Sequence, residues 1–295
     1  MDRFKQLFAL IFFVLICASL TGAQSHTPAW TQSCDPRLQK ALETRINALK
    51  LEGATEEKHL SVVVVDITDI SDPRMAYVNP NTMMYAASLP KIAILLGAFE
   101  KIAAGEMALD NETLEKLKQM IQRSSNTAAS EMLDRVGIDY LADLLQSPRY
   151  RLYDPERNGG IWVGKEYGKA PAQRRDPLHN LSHGATALQV ARFYFLLETG
   201  QLVSPQLSQL MKAILAETEI EHKFVKGLKT VQPDSEIYRK SGTWGPYHSD
   251  SAIIEHDGRR YIAVALAKSR HGEQWLQKLI VALDEVVCQT KTKQN

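Results

Sequence analysis

The tetrapeptide Ser88-Leu89-Pro90-Lys91 opens the apolar run Ile92 to Leu96 and sets a hydroxyl and an amine one helical turn apart. Residues at i and i+3 share a helix face. Near a helix start, unpaired backbone N–H groups and the positive macrodipole end favour a developing anion, which is the setting a serine nucleophile needs. A lysine shielded from water loses its charge more readily and can take the serine proton, giving an activated nucleophile without histidine. The same residues also read as an N-cap, a first-turn proline and a solvated charge. Two further patterns weigh against that plain reading: Ser124-Ser125-Asn126 ahead of Thr127-Ala128-Ala129, and Lys240-Ser241-Gly242-Thr243 after the strand-like Ile237-Tyr238-Arg239.

The order of the three patterns, on a helix, before a helix and on a strand, matches the SxxK, S-x-N and K-[ST]-G signature of penicillin-recognising serine enzymes. From about Cys34 to Cys288 the chain resembles the class A β-lactamase family. That resemblance implies that Ser88 attacks a carbonyl carbon, that Lys91 accepts its proton, and that Ser124 passes a proton to the leaving nitrogen. Lys240 would raise the positive potential near Ser124 and a substrate carboxylate, and Asn126 would hold Lys91 and a substrate amide. The oxyanion would lie between the backbone N–H groups of Ser88 and Thr243, on the edge completed by Ser241 and Gly242. No cofactor is implied. The expected partner is a small-molecule β-lactam or a peptidoglycan-like substrate, bound by a monomer.

Three departures bear on that expectation. The family's water-activating glutamate falls on a loop with the pattern E-P-E-x-N, and here Asp154-Pro155-Glu156-Arg157-Asn158 carries the shorter aspartate. Glu166, in Gly164-Lys165-Glu166-Tyr167-Gly168, is the competing base. A base displaced by about 1 Å can lose on the order of 100-fold in rate, so deacylation is at stake. Ser124 follows Ser88 by 36 positions, a shorter separation than is usual in the family, which predicts a missing wall and a more open cleft. Ser125 stands where the family has aspartate, and no arginine follows Lys240 to clamp a carboxylate; Arg239 or His248 are the substitutes. The motifs fit a β-lactam hydrolase, a peptidoglycan D,D-peptidase or related amidase or esterase, and a sensor that acylates and stalls.

Other chemistries find less support. His179 and His183 are four apart but flank a loop-like Asn-Leu-Ser without the glutamate of a zinc hydrolase motif, so no metal is expected. Lys and Arg number 35 against 34 Asp and Glu, a net charge of +1 that offers nucleic acid no general attraction.

The elements that must position these residues follow from hydrophobic periodicity. Residues 1–23 read as an export signal, with Arg3 and Lys5 ahead of the apolar Leu7 to Leu20 and a small-residue cleavage site at Thr21-Gly22-Ala23. A periplasmic or secreted location follows, with no stable membrane insertion after cleavage. Residues 24–295 read as one catalytic domain. Leu60 to Ile67 and Met75 to Val78 are strand-like. Helical patterns then dominate from about 88 to 204, and strands return at 236–239, 251–255 and 261–267, with a hairpin turn at His256-Asp257-Gly258. Terminal helices are expected around Leu38 to Leu49 and Trp275 to Val287. The arrangement is an α/β (α+β) fold, an antiparallel sheet built from both chain ends and flanked by terminal helices, with a mostly helical subdomain. Cys34 and Cys288 fall at the ends of those helices, so a disulfide between them is expected in an oxidising compartment.

Overall fold

The computed structural model describes residues 34–289; the expected export signal lies outside them. In chain order come α1 (Pro36–Ala48), α2 (Glu52–Glu56), β1 (Leu60–Asp66), β2 (Arg74–Val78), β3 (Met84–Tyr85), α3 (Lys91–Ala103), α4 (Asn111–Gln122), α5 (Asn126–Val136) and α6 (Ile138–Gln146). There follow β4 (Tyr153–Asp154), β5 (Gly159–Gly160), β6 (Trp162–Val163), β7 (His183–Ala185), α7 (Ala187–Glu198), α8 (Pro205–Leu215), α9 (Phe224–Leu228), β8 (Glu236–Trp244), β9 (Tyr247–His256), β10 (Arg259–Lys268) and α10 (Gly272–Gln289).

The main sheet has the order β2-β1-β10-β9-β8, with every neighbouring pair antiparallel, so strands from both chain ends meet at β1 and β10. β1 is buried along its whole length, which explains its apolar run Val62 to Val65; its buried polar residues are partnered, Ser61 by Asn79 O and Asp66 by Arg74. The pleat sends alternate side chains to opposite faces. Val63 and Val65 join one core with the helices of the middle of the chain, whereas Val62 and Val64 join a second core with α1 and α10. Burying each valine contributes about 1.5–3 kcal/mol. β9 and β10 are joined by Asp257 and Gly258, whose φ values of 47° and 68° suit the two-residue turn that matches strand twist.

β8 to β10 run longer than their apolar segments suggest. Polar positions such as Asp250 stay in the ladder because Arg239 pairs with it at 2.7 Å, both side chains being buried. Sequence reading also passed over α8, although Ser204 caps it and Pro205 opens it.

The expected disulfide is absent: Cys34 and Cys288 are free thiols. The Arg45–Glu285 ion pair (3.0 Å) sets the end of α10 beside the third turn of α1, roughly 13 Å along that helix from its start. Cys34 Sγ instead donates to Gln39 Oε1 at 3.2 Å, and Cys288 faces His256 and Asp284. No helix among the described residues is long and apolar enough to cross a membrane.

Candidate active site

Ser88 lies in a tight turn just ahead of α3. Ala87 before it has φ 51°, a left-handed conformation that costs a non-glycine residue energy and tends to mark functional turns. Leu89 N donates to Ala86 O (3.1 Å) and Lys91 N to Ser88 O (3.3 Å), so Ser88 precedes the helix rather than opening it, and Lys91 is the first helical residue.

α3 is apolar nearly all round and carries Lys91 into the core with it. Gly97 lets α3 approach α5: a Cβ there would stand 2.7 Å from Val136 Cγ1. That close packing brings the end of α4 and the start of α5 over Lys91. Ser124 adopts φ 56°, and Ser125 caps α5 by accepting from Ala128 N at 3.2 Å. Lys91 Nζ consequently donates to Ser124 O (2.6 Å), Asn126 Oδ1 (2.8 Å), Ser125 O (3.2 Å) and Ser124 Oγ (3.4 Å). The Tyr167 ring covers the amine with its centroid 4.5 Å from Nζ. Burial pushes the Lys91 amine down to about 7, near the middle of the neutral range.

β8 brings the second amine. Lys240 Nζ donates to Ser124 Oγ at 2.9 Å and to Ser241 O at 2.9 Å, so the Ser124 hydroxyl lies between two lysines. Burial, and then the neighbouring Lys91 charge, hold Lys240 well below the ordinary lysine range. Gly242 allows the strand to reach the nucleophile's turn, since a Cβ there would lie 2.3 Å from Ala86 O and 2.7 Å from the Ser88 amide nitrogen. Thr243 follows at the exposed end of β8.

A cleft of about 700 Å³ opens over this group, lined among others by Ser88, Asn126, Glu166, Tyr167, Thr243 and Trp244. That volume suits a small molecule. The two candidate bases part company here. Glu166 lines the cleft, whereas Asp154 does not: it caps the 3₁₀ turn Pro155–Arg157 through Glu156 N (3.1 Å) and pairs with Arg151 at 2.9 Å. Asn158, the matching asparagine, donates to Asn81 O at 2.8 Å and contacts His179. The proposed carboxylate clamps lie elsewhere as well. Arg239 is taken up by Asp250, and His248 is buried opposite Thr243 on β9; neither lines the cleft.

Sequence reading missed Lys223. It is fully buried ahead of α9, and its Nζ donates to Gly242 O (2.7 Å), Thr243 Oγ1 (2.7 Å) and Ser249 O (3.1 Å), bracing the end of β8; burial lowers its amine to about 8. It belongs to no motif, and its unusual φ of 52° is invisible in sequence. Tyr167 was missed in the same way, and His183 was weighed only as a metal ligand. Their rings pack with centroids 4.2 Å apart and planes tilted by 42°, and burial drives His183 down to about 4 and the Tyr167 phenol well up.

Fold and site together define a β-lactamase-like serine hydrolase. The model of the Beta-lactamase enzyme family matches residues 41–116 and 113–289, and the chain belongs to that family. Among solved structures, PBP-A aligns with TM-score 0.65 at 15% identity, over 86% of this chain and 98% of its own. A β-lactamase from Sphaerobacter thermophilus aligns with TM-score 0.64 at 17% identity, over 84% and 97%. A class A β-lactamase from Bacteroides cellulosilyticus gives 0.63 at 18%, over 86% and 98%. At these identities the structural likeness speaks to fold. No curated protein sequence matches the chain.

Proposed function

We propose that the protein is an exported serine hydrolase that opens β-lactam rings through a Ser88 acyl-enzyme. The observation that carries this reading is the Ser124 hydroxyl set between Lys240 and Lys91, the latter three residues on from Ser88. Neutral Lys91 accepts the Ser88 proton as Oγ bonds to the carbonyl carbon, and the carbonyl electron pair moves onto oxygen. The backbone N–H groups of Ser88 and Thr243 meet that oxyanion; each such donor contributes about 3–4 kcal/mol of transition-state stabilisation. As the C–N bond breaks, Ser124 gives its proton to the departing nitrogen and is reprotonated from the lysine pair. Water then attacks the ester as Glu166 takes its proton, the bond from the acyl carbon to Ser88 Oγ breaks, and that proton passes to Ser88 Oγ to restore the free enzyme.

A second reading, slow deacylation as in a peptidoglycan D,D-peptidase or a penicillin-binding sensor, is favoured by how the groups that would drive deacylation are held. Lys91 is covered by an aromatic ring, while Asp154 and Asn158 are engaged outside the cleft. Intact-mass spectrometry during turnover of a chromogenic cephalosporin separates the two. Rapid colour change without a lasting adduct supports the β-lactamase reading. A persistent adduct that is absent in Ser88→Ala supports the second, and hydrolysis that survives Ser88→Ala overturns both.

A further inference from the structure

On the face of the sheet away from the cleft, α10 and the β9–β10 hairpin bring together His256, Asp284 and Cys288. One ligand atom from each lies within 4.8 Å of the other two. Asp284 and Cys288 are four apart on α10 and share a helix face, while His256 ends β9 just before the turn. We propose that these three side chains form a divalent transition-metal site, with zinc the best fit.

The donor chemistry points that way. Imidazole, carboxylate and thiolate are zinc's ligand set, and carboxylate plus thiolate neutralise a dication. The group around the ligands is already arranged as such sites require. Tyr261 Oη donates to Asp284 Oδ1 at 3.0 Å, orienting the carboxylate. His256 now meets Asp284 through Nε2; when Nε2 binds metal, its proton resides on Nδ1, which faces Asp257 Oδ2 at 3.5 Å. A ligating histidine whose other nitrogen faces a carboxylate is the usual outer arrangement. Cys288 lies in the last turn of α10, where the negative macrodipole end favours a cation. His256 and Asp284 are nearly inaccessible, whereas Cys288 is partly exposed and leaves the fourth position to water. Arg259 is the opposing charge near the thiol. Binding releases the Cys288 proton to solvent and ties α10 to the hairpin, so metal and fold are linked.

The test uses the full mature chain, reduced and freed of metal, titrated with Co²⁺ as a spectroscopic stand-in and then with Zn²⁺. One equivalent of Co²⁺ is expected to give tetrahedral visible bands and a thiolate-to-cobalt charge-transfer band. Cys288→Ser should abolish the charge-transfer band, and His256→Gln should weaken binding about 100-fold. Tyr261→Phe, which keeps the packing, should weaken it about 10-fold. Zn²⁺ should raise the unfolding midpoint of the parent chain and not of Cys288→Ser. Absence of the band in the folded parent chain, its survival in Cys288→Ser, or its equal loss in Cys34→Ser each overturns the proposal. Circular dichroism of each variant separates loss of the site from loss of the fold.

Discussion

Gly242 passes so close to Ser88 that a methyl group on it would stand 2.7 Å from the Ser88 amide nitrogen. The amide expected to meet the oxyanion is therefore walled by a strand that tolerates no side chain at that point. Gly242→Ala should push β8 away and lower kcat by about 100- to 1,000-fold, the cost of one lost oxyanion donor, with the acylation burst slowed in proportion. Stopped-flow acylation with a chromogenic cephalosporin measures this, and an unchanged burst would remove the strand from the mechanism.

Lys91 must be neutral to take a proton. With its amine lowered to about 7 by burial, acylation should rise with pH through about 7 and level off above it. Tyr167→Ala exposes the amine, raises it toward the ordinary lysine value and shifts the rising limb to higher pH; Tyr167→Phe keeps the ring and should leave the limb in place. A limb that stays fixed in Tyr167→Ala would show that another group controls it.

Glu166 lines the cleft and Asp154 caps a turn, so the two conservative amides should separate cleanly. Glu166→Gln is expected to trap acyl-enzyme, seen as a lasting mass shift. Asp154→Asn should leave turnover intact and cost little stability, because asparagine can accept the same Glu156 N–H and only the pair with the exposed Arg151 is lost.

Lys223 reaches the cleft only through β8, so it is a positioning residue. Lys223→Met removes the amine shared by Gly242 O, Ser249 O and the Thr243 hydroxyl and should reduce kcat by about 10- to 100-fold, with KM far less affected. A change confined to KM would instead place the amine in direct contact with substrate.

Much of this arrangement was written in plain view. The three motifs name seven of the residues gathered behind or beside the cleft, and β1 and α3 to α7 follow from their apolar periodicity. What stayed hidden depends on shape. Lys223 carries no motif because its role comes from a left-handed loop that aims it under a distant strand. Tyr167 reads as an ordinary loop aromatic, because its place over Lys91 is set by the fold of residues 153–183. The loop pattern at Asp154 misled for the opposite reason: three of its four named positions match, yet the buried aspartate is taken up by Glu156 N and Arg151 instead of lining the cleft. Cys34 and Cys288 show the same limit, since apolar periodicity does not fix how far one terminal helix is displaced along the other.

The residues of the site stand on separate supports. Ser88, Lys91 and Ser124 belong to the helical side, whereas Lys240 and Thr243 belong to the sheet, and the 2.9 Å bond from Lys240 to Ser124 spans the seam between them. Sliding one side against the other by a fraction of an ångström would break that bond while every helix and strand remained whole. Catalysis should therefore act as the most delicate strain gauge in the molecule: on warming, turnover fades before circular dichroism registers any melting.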